Sequence, residues 1–460
     1  MPTAAAAPSS QPPSTKRRKC CSIACNQGRR STVCGKLRAV WTRWELSEST
    51  RASSSSDTLR PLAESQKRLQ EGWLLGWSVN RPTGLTHHRP GLATPGYTLL
   101  TPHGGDSTWL IDIHGRVVHR WTFQHIRPGY GRLLKNGNLL MTGSDPEQPM
   151  RPDADLAAPP PFEERVKTLG GYHTTLCEVD WDGNVVWEYV NPYQHHDFFR
   201  FENGNTMVPV WIELPEEVQR KVRGGRRRQR REKLPRLIGD DLVEVDASGN
   251  EVRRIRLWQL MDPVKDPIYP TVRRWEWTHV NGIDINPAGE IVFSARHIDR
   301  VGIIGADGEL KWKFDQTHGQ HQPTWVRPEG EHEPSNVLVF DNGDAGSRVV
   351  EIDPATSEIV WSYRGNPSPQ FFSGHISGAV QLWSRNVLVC EGTSGRLFEV
   401  TRSGEVVWEW INPFLNTNSR GEPTVSIYRT HRYAPEHPAL ADRDLDPARH
   451  ANINRLHNLG

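Results

Sequence analysis

Five histidines occupy corresponding points of a chain that otherwise repeats itself, and their side chains could form one site. Each stands at or just before a short apolar segment: His196 in HHDF, His279 in THVNGI, His321 in GQHQPTW, His375 in GHISGA and His431 in THRYA. A neutral imidazole is a nucleophile near pH 7, and a second one can act as general acid or base. If the repeats surround an axis, one repeat position predicts up to five imidazoles around one opening.

A second set of polar residues follows other strands of the same repeats: His103, Arg296, His297, Asp341, Asn342 and Thr393. A fixed guanidinium offers paired donors to an oxyanion such as sulfate or phosphate. Three histidines could instead hold Zn²⁺ or Fe²⁺. A single histidine of this kind is as easily a loop cap, but the set together favours a functional cluster. The sequence has no Walker loop, G-x-G-x-x-G turn, H-E-x-x-H helix or G-x-S-x-G elbow, so nucleotide dependence has no support.

Six copies of one unit must position these residues. Each copy contains an apolar strand, a D-x-x-G-like turn and a second strand that usually ends in an aromatic residue. The copies occupy 110–121, 177–189, 243–255, 302–314, 350–363 and 398–410. Asp/Asn-Gly between apolar runs is a hairpin signal, because glycine adopts φ > 0 without steric cost. The fifth copy lacks the glycine, and we expect a different turn there.

Further hairpin signatures precede four of these copies, at 132–143, 199–210, 283–295 and 379–390. Two hairpins per repeat give four antiparallel strands, and six repeats have the period of propeller blades. The first copy begins midway, at 97–102, and the tail segment 424–435 is predicted to supply the missing strand and close the ring. The predicted fold class is all-β: a six-bladed β-propeller with a disordered N-terminal extension.

The chain is predicted to divide near residue 90. Residues 1–90 form a disordered or targeting extension with a short helix at 66–78, residues 91–435 the propeller, and residues 436–460 a C-terminal tail. Nine Lys or Arg precede the first acidic residue, Glu45, a bias typical of organellar transit peptides and equally of disordered segments. No apolar stretch indicates a cleavable secretory signal, and the compartment stays open.

Composition bears on partners and cofactors. A net charge of +2 gives no argument for nucleic acid, and no stretch approaches the roughly 18 apolar residues of a membrane span. Four of the six cysteines lie within the extension, at 20, 21, 25 and 34, so no disulfide framework is expected. The basic stretch 220–236 lacks interleaved aromatic residues for base stacking and is expected to be an exposed insertion loop. Neither a cofactor nor a metal is predicted, and the oligomeric state stays open.

Several motifs together resemble the arylsulfotransferase (arylsulfate sulfotransferase) family over roughly residues 95–435. They are H-x-N at His279 and Asn281, S-A-R-H with Arg296, G-Q-H with His321 followed by F-D-N-G at 340–343, and EGTSGRLFEV ending in GEVVWEW. The resemblance implies a six-bladed propeller that passes a sulfuryl group from an aryl sulfate ester to a phenol without a nucleotide donor. It also implies a ping-pong reaction through a sulfohistidine.

The resemblance implies roles residue by residue. His321 would be the nucleophile, and Thr393 a further contact. His279, Asn281 and Arg296 would hold the sulfuryl oxygens and assist proton transfer. Substrate-binding residues would be His196, chosen over His173, together with His375, His297 and Asn342. The first 90 residues depart from the best-known members, which carry a signal peptide and an N-terminal β-domain.

Two other functions fit the same features. The G-x-V-V-W-x-W strands resemble the tryptophan-docking repeats of quinoproteins, which favours a quinoprotein-like or metal-dependent oxidoreductase, although those propellers usually have eight blades. A non-catalytic propeller could also bind peptide or glycan on the same rim. Release of phenol from a chromogenic aryl sulfate distinguishes sulfuryl transfer from both.

Overall fold

The structure is a computed structural model that describes residues 82–146, 161–226, 236–418 and 421–459. Six antiparallel sheets, each with at least four strands, succeed one another along the chain. The predicted six-bladed β-propeller is therefore confirmed. The expected disorder before residue 82 and the expected helix at 66–78 lie outside the described residues.

The first three blades have four strands each, lettered a to d in sheet order. Blade 1 comprises β29 (Ile427–Tyr433), β2 (Tyr97–Pro102), β3 (Ser107–Ile111) and β4 (Val117–Thr122). Blade 2 comprises β5 (Arg127–Leu133), β6 (Leu139–Ser144), β7 (Thr175–Val179) and β8 (Val185–Val190). Blade 3 comprises β9 (Phe199–Arg200), β10 (Thr206–Glu213), β12 (Ile238–Val245) and β13 (Glu251–Arg256).

The other three blades follow the same order, and the last has a fifth strand. Blade 4 comprises β15 (Val280–Ile285), β16 (Ile291–Ala295), β17 (Arg300–Ile304) and β18 (Leu310–Phe314). Blade 5 comprises β19 (His321–Val326), β20 (Asn336–Asp341), β21 (Arg348–Asp353) and β22 (Glu358–Arg364). Blade 6 comprises β23 (Gly378–Gln381), β24 (Val387–Glu391), β25 (Arg396–Val400), β26 (Val406–Ile411) and β1 (Gly84–His88).

Both ends of the described chain contribute to the closure of the ring. The tail strand β29 pairs with β2, with Tyr97 opposite Tyr433, as the sequence predicted. Strand β1 pairs with β26, with Gly84 opposite Ile411, although the sequence analysis had assigned this segment to the extension. Blades 1 and 6 are thus each completed by a strand from the opposite end of the propeller sequence.

The predicted turns hold their c–d hairpins as expected. Gly183 has φ 90° and Gly308 has φ 85°, both in the left-handed region that a side chain would strain. In the fifth blade, which lacks the glycine, Ser357 takes φ 60° and its backbone N–H donates to the carbonyl of Asp353 at 2.8 Å. A different turn was predicted there and is found.

Strand d of most blades carries a tryptophan whose indole N–H reaches the c–d turn of the next blade. The donors and acceptors are Trp121 to the Asp180 carbonyl, Trp187 to the Ala247 carbonyl, Trp312 to the Ser357 hydroxyl, Trp361 to the Arg402 carbonyl and Trp408 to the Ile113 carbonyl. In blade 3, which has no such tryptophan, the Arg253 guanidinium donates to the Ala306 carbonyl at 3.0 Å. These side chains therefore join neighbouring blades, the structural role expected of the tryptophans.

Short elements lie in the loops. The remaining strands are β11 (Gly224–Arg226), which pairs in parallel with β14 (Ile268–Arg273), and the pair β27 (Asn416–Thr417) and β28 (Pro423–Thr424). The helices are α1 (Phe162–Val166), α2 (Glu216–Gln219), α3 (Leu257–Leu260) and α4 (Ala451–Leu456), with 3₁₀ turns at Arg296–Ile298, Ser368–Gln370, Gly392–Ser394, Pro438–Leu440 and Pro447–His450. No described helix has the length and apolar character needed to span a membrane.

The basic stretch 220–236 is only partly a loop. Its described residues are mostly exposed, as expected, but the stretch also contains the short strand β11 and the buried Val222. The cause is the pairing of β11 with β14, which are well separated in the sequence and show no shared pattern. Residues 227–235 lie outside the described residues.

Candidate functional site

A cavity of about 690 Å³ opens over the loops that enter the innermost strands of the propeller. Six of the nine predicted site residues line it: His196, His279, Arg296, His297, His321 and His375. They belong to blades 3, 4, 5 and 6. The fold thus brings together side chains that lie up to 179 positions apart in the sequence, from 196 to 375.

The other three predicted residues do not line this cavity. Asn281 is fully buried, and its amide donates to the Gln320 carbonyl at 2.8 Å while its Oδ1 has no partner. Asn342 lies behind His321. The Thr393 hydroxyl donates to the Ser373 hydroxyl at 3.0 Å within the loop after β24.

The expectation that His431 shares the opening is wrong. His431 lies within β29, opposite Leu99, and its Nε2 is 2.6 Å from the Tyr130 hydroxyl. The blade-1 position at the cavity is taken by Tyr428 instead. The tail strand simply begins earlier, relative to its histidine, than the corresponding strands of the other blades.

The remaining imidazoles occupy two registers rather than one. His196 and His279 themselves adopt left-handed backbone conformations, with φ of 58° and 52°. In blades 5 and 6 the residue after the histidine does so, namely Gln322 at 45° and Ile376 at 52°. Non-glycine residues in this region are uncommon and tend to cluster at functional sites.

His321 is held by both ring nitrogens, and its partners define its tautomer. The Asn342 amide donates to the carbonyls of Ser373 at 2.6 Å and Ile376 at 3.1 Å, which leaves its Oδ1 to accept from His321 Nδ1 at 2.7 Å. The proton is therefore on Nδ1, and the lone pair is on Nε2. That lone pair accepts a long 3.2 Å bond from the Ile376 backbone N–H. A substrate that displaces this bond meets a nucleophilic nitrogen.

Burial and charge keep this imidazole neutral. Burial is the largest cause that lowers the pKa of His321 well below its usual value; the nearby Arg296 adds to it, and the bond to Asn342 opposes it. A neutral ring at pH 7 retains the Nε2 lone pair that an attacking group needs.

His279 is oriented by a carboxylate. Its Nδ1 lies 2.7 Å from Glu276 Oε2, so Nδ1 carries a proton and Glu276 fixes the orientation of the ring. The ring stacks on His297 at 4.1 Å with an 18° interplanar angle and meets His196 edge-on at 4.6 Å. Burial, followed by the neighbouring His279, lowers the pKa of His297 well below its usual value.

Glu276, His279 and His297 are also the group that could hold a metal, since one donor atom from each lies within 4.8 Å of the others. The stacked rings are nearly parallel, and the His279–Glu276 contact already uses one donor from each. Zinc and non-haem iron sites need donors that converge on one point. The geometry therefore favours a hydrogen-bonded dyad over coordination.

The cavity is strongly electropositive. Four arginines line it, Arg127, Arg226, Arg273 and Arg296, against a single carboxylate, Glu276. Arg296 forms no salt bridge with any residue in the described parts of the chain, and its Nε is buried without a partner. Burial lowers the pKa of Arg296, and Asp299 and Glu276 oppose that effect. Such a guanidinium is suited to an oxyanion.

Sequence reasoning missed several lining residues: Glu276, His103, His173, Tyr428, Arg127, Arg226 and Arg273. For Glu276 a signal was available, since it stands three residues before His279 in WEWTHVN. His103 was recognised as a loop histidine without being assigned a role, and His173 was weighed against His196, whereas both line the cavity. Arg226 and Arg273 are paired across strands β11 and β14. No sequence motif predicts this strand pairing.

Comparisons with known proteins agree with the motif reading at the family level. The family model described as Arylsulfotransferase (ASST) matches residues 98–316. None of the curated proteins matches the chain. A Bacteroides caccae protein of unknown function is 13% identical and covers 74% of this chain and 99% of its own, with a TM-score of 0.45. A Staphylococcus aureus virginiamycin B lyase is 13% identical over 64% of this chain and 73% of its own, with a TM-score of 0.36. A streptogramin B lyase is 10% identical and covers 76% of this chain and 93% of its own, with a TM-score of 0.40.

Proposed function

We propose that this chain, which the arylsulfotransferase (ASST) family model matches over residues 98–316, transfers a sulfuryl group from an aryl sulfate ester to a phenol. The observation that carries the proposal is the unpaired guanidinium of Arg296 in the same cavity as the Nε2 lone pair of His321. A donor that brings its own sulfuryl group needs no nucleotide.

The first step would form a bond between His321 Nε2 and sulfur. The bond from sulfur to the aryl oxygen breaks, and its electron pair leaves on the phenolate. In the second step the oxygen of an acceptor phenol attacks the same sulfur, the S–N bond breaks, and its electron pair returns to Nε2. Each half reaction conserves the sulfuryl group, so the sequence is ping-pong.

The arginine-rich cavity supports both steps. During transfer the sulfuryl group spreads negative charge over three oxygens. Fixed hydrogen-bond donors that point at this charge stabilise the transition state far more in a buried site than in water. Arg296 supplies paired N–H donors with no competing carboxylate bond. His279, whose ring is oriented by Glu276, is a further group in the cavity that can hydrogen-bond the sulfuryl oxygens or the phenol.

The test is release of 4-nitrophenolate from 4-nitrophenyl sulfate with and without added phenol. We expect phenol-dependent turnover together with formation of phenyl sulfate. Steady release without an acceptor would indicate a sulfatase instead, and no release would favour an oxidoreductase or a binding propeller. Metal analysis of the same sample checks the Glu276, His279 and His297 group, for which we expect no bound metal.

A further inference from the structure

Beside the cavity, three buried side chains form a line that the proposed reaction does not yet use. We propose that Asp240 and His195 are positioning residues that make His196 the general base of the acceptor step. This inference rests on the proposed function, because it assigns the proton of the acceptor phenol.

The first contact of the line joins two adjacent histidines. His195 Nδ1 and His196 Nδ1 are 2.8 Å apart, and the two rings are nearly perpendicular, at 87°. A hydrogen bond between two imidazole nitrogens needs one proton, so one ring donates and the other accepts. Which ring donates decides whether His196 presents a lone pair or a proton at its other nitrogen.

The second contact settles that choice. His195 Nε2 lies 3.0 Å from Asp240 Oδ1, with both side chains buried, although the N–H is not well aligned with the oxygen. A carboxylate at this distance favours a proton on Nε2, and we assign His195 the tautomer with that single proton. His195 Nδ1 is then the acceptor, His196 Nδ1–H is the donor, and His196 Nε2 carries a lone pair.

The surroundings fix these groups in place. The Trp211 indole stacks on the His195 ring at 4.3 Å and 13°. Asp240 Oδ2 accepts from the Thr278 hydroxyl and from the Val280 backbone N–H, which is 3.1 Å away. Burial alone would raise the pKa of Asp240, but the contacts with His195 and Thr278 outweigh it and lower the pKa. Asp240 therefore remains a carboxylate.

His196 needs this support because its other ionisable neighbours are not anionic. They are the imidazoles of His279, His321 and His173, from blades 4, 5 and the loop of blade 2, together with the Tyr428 phenol. Burial, then His279 and His195, lowers the pKa of His196 well below its usual value. A proton taken up at His196 would therefore be costly without a route to a counterion.

The line provides that route. As the acceptor oxygen attacks sulfur, the phenol proton moves to His196 Nε2. The Nδ1 proton of His196 moves to His195 Nδ1, and the positive charge then lies on His195 beside Asp240. After product release the two protons move back, and one leaves to solvent. No oxidant or further reactant is needed.

Replacing Asp240 with asparagine should reverse the direction of the hydrogen bonds that join residues 240, 195 and 196. An asparagine amide can donate to His195 Nε2, which moves the His195 proton to Nδ1. His196 Nδ1 then becomes the acceptor, and its remaining proton lies on Nε2. The variant D240N is nearly isosteric, yet it removes the lone pair from His196 Nε2.

The experiment measures the two half reactions separately in D240N and H195Q. The burst of 4-nitrophenolate should be preserved, because this leaving group departs without a proton. Transfer to phenol should fall by about 10²- to 10⁴-fold, the usual range for loss of a general base. Transfer to pentafluorophenol, which is ionised at neutral pH, should fall by less than about tenfold, because no base is required.

The variant T278V is the matched control. It removes another hydrogen bond from the same carboxylate but leaves His195 and His196 unchanged, so both acceptors should react as in the wild type. H195Q guards against a folding defect in D240N, because it leaves the Asp240 bonds to Thr278 and Val280 intact. Equal losses with both acceptors, or unchanged transfer to phenol, would overturn the proposal.

Nuclear magnetic resonance of ¹⁵N-histidine protein tests the line without any turnover. His196 Nε2 should be unprotonated in the wild type and protonated in D240N. A protonated Nε2 in the wild type would refute the relay even if sulfuryl transfer is observed. Absence of a nitrophenolate burst in the wild type would instead refute the proposed function, and the resonance result would still decide the relay.

Discussion

Two regions of this propeller hold arginine side chains in contrasting surroundings, one fully buried and one partly exposed in the cavity. At the seam between blades 1 and 6, Arg432 forms an ion pair with Glu399, and both side chains are fully buried. Arg432 also donates to the Thr98 hydroxyl at 3.0 Å, and its guanidinium lies 4.4 Å from the Trp408 ring centre. At the cavity, Arg296 forms no salt bridge with any of the residues that the structure describes.

The carboxylate of the seam is equally well satisfied. Glu399 accepts from the Thr94 backbone N–H at 2.9 Å and from the Asn386 amide at 2.6 Å. A buried charge without partners lowers stability by several kcal/mol. The buried charges of the seam are compensated by these hydrogen bonds, whereas Arg296 at the cavity has no salt bridge among the described residues. We infer that paired charge here serves closure of the ring, whereas unpaired charge is reserved for a ligand.

The largest effect should come from replacing His321, the proposed nucleophile. His321→Ala should abolish sulfuryl transfer, because it removes the reaction path itself. Intact-mass spectrometry after a brief donor pulse should show an adduct of about 80 Da in the wild type and none in this variant. His375→Ala, at the exposed rim of the same cavity, should retain the adduct. An adduct that persists in His321→Ala would move the nucleophile to another histidine, with His279 next.

Removing the unpaired arginine should reduce activity but not stability. Arg296→Ala deletes charge stabilisation without breaking a salt bridge, so we expect a loss of about 10²–10³ in kcat. The unfolding midpoint in urea should be little changed, because Arg296 forms no salt bridge with the described residues. A variant that is as active as the wild type, or that is strongly destabilised, would contradict the distinction between the two regions.

The paired arginine should show the converse behaviour. Arg432→Met keeps the volume but leaves Glu399 buried and uncompensated, which should lower the free energy of unfolding by about 3–5 kcal/mol. Activity per folded molecule should be unchanged at low temperature. Urea titration and initial rates on the same sample measure both quantities, and loss of activity without loss of stability would place Arg432 in the site.

Acid should destabilise the protein through the cavity histidines. Burial lowers the pKa of His103 to about 4 and that of His173 to about 3. Between pH 6.5 and about 4 the unfolded chain binds protons that these folded histidines do not, so stability falls as the pH falls. We expect the unfolding temperature to drop by several degrees from pH 7 to pH 5, and to drop less in His173→Asn. A pH-independent unfolding temperature would contradict this.

The sequence predicts the fold closely because the residues that define a blade, its turns and strand ends, lie close together in the sequence. The D-x-x-G turns require φ > 0 at residues such as Gly308, and the interblade role of Trp408 follows from its place at the end of a strand. Strand β1 could not be predicted in this way, since GLTHH has no hairpin partner near it and pairs with β26 across more than 300 residues.

The site is predictable only where a motif fixes a position in a blade. His321 and Arg296 line the cavity for that reason, but the motif does not specify that Asn342 determines the tautomer of His321. The Asp240–His195 contact joins a residue of β12 to one in the loop before β9, so it emerges only when blade 3 is folded. The adjacent histidines in HHDF were the one sequence feature that pointed to this contact.

The closing strand β29 also sets the order of events during synthesis. Thr430 of this strand bonds to Leu99 across 331 positions of the chain, so blade 1 remains incomplete until these intervening residues have been synthesised. At typical elongation rates of about 5–20 residues per second, the free edge of β2 would wait roughly 15–70 s for its partner. Contacts of such high sequence separation slow folding and leave strand edges open to other chains. Production of the protein should therefore depend on chaperones that shield an unfinished first blade, more than on the stability of the closed ring.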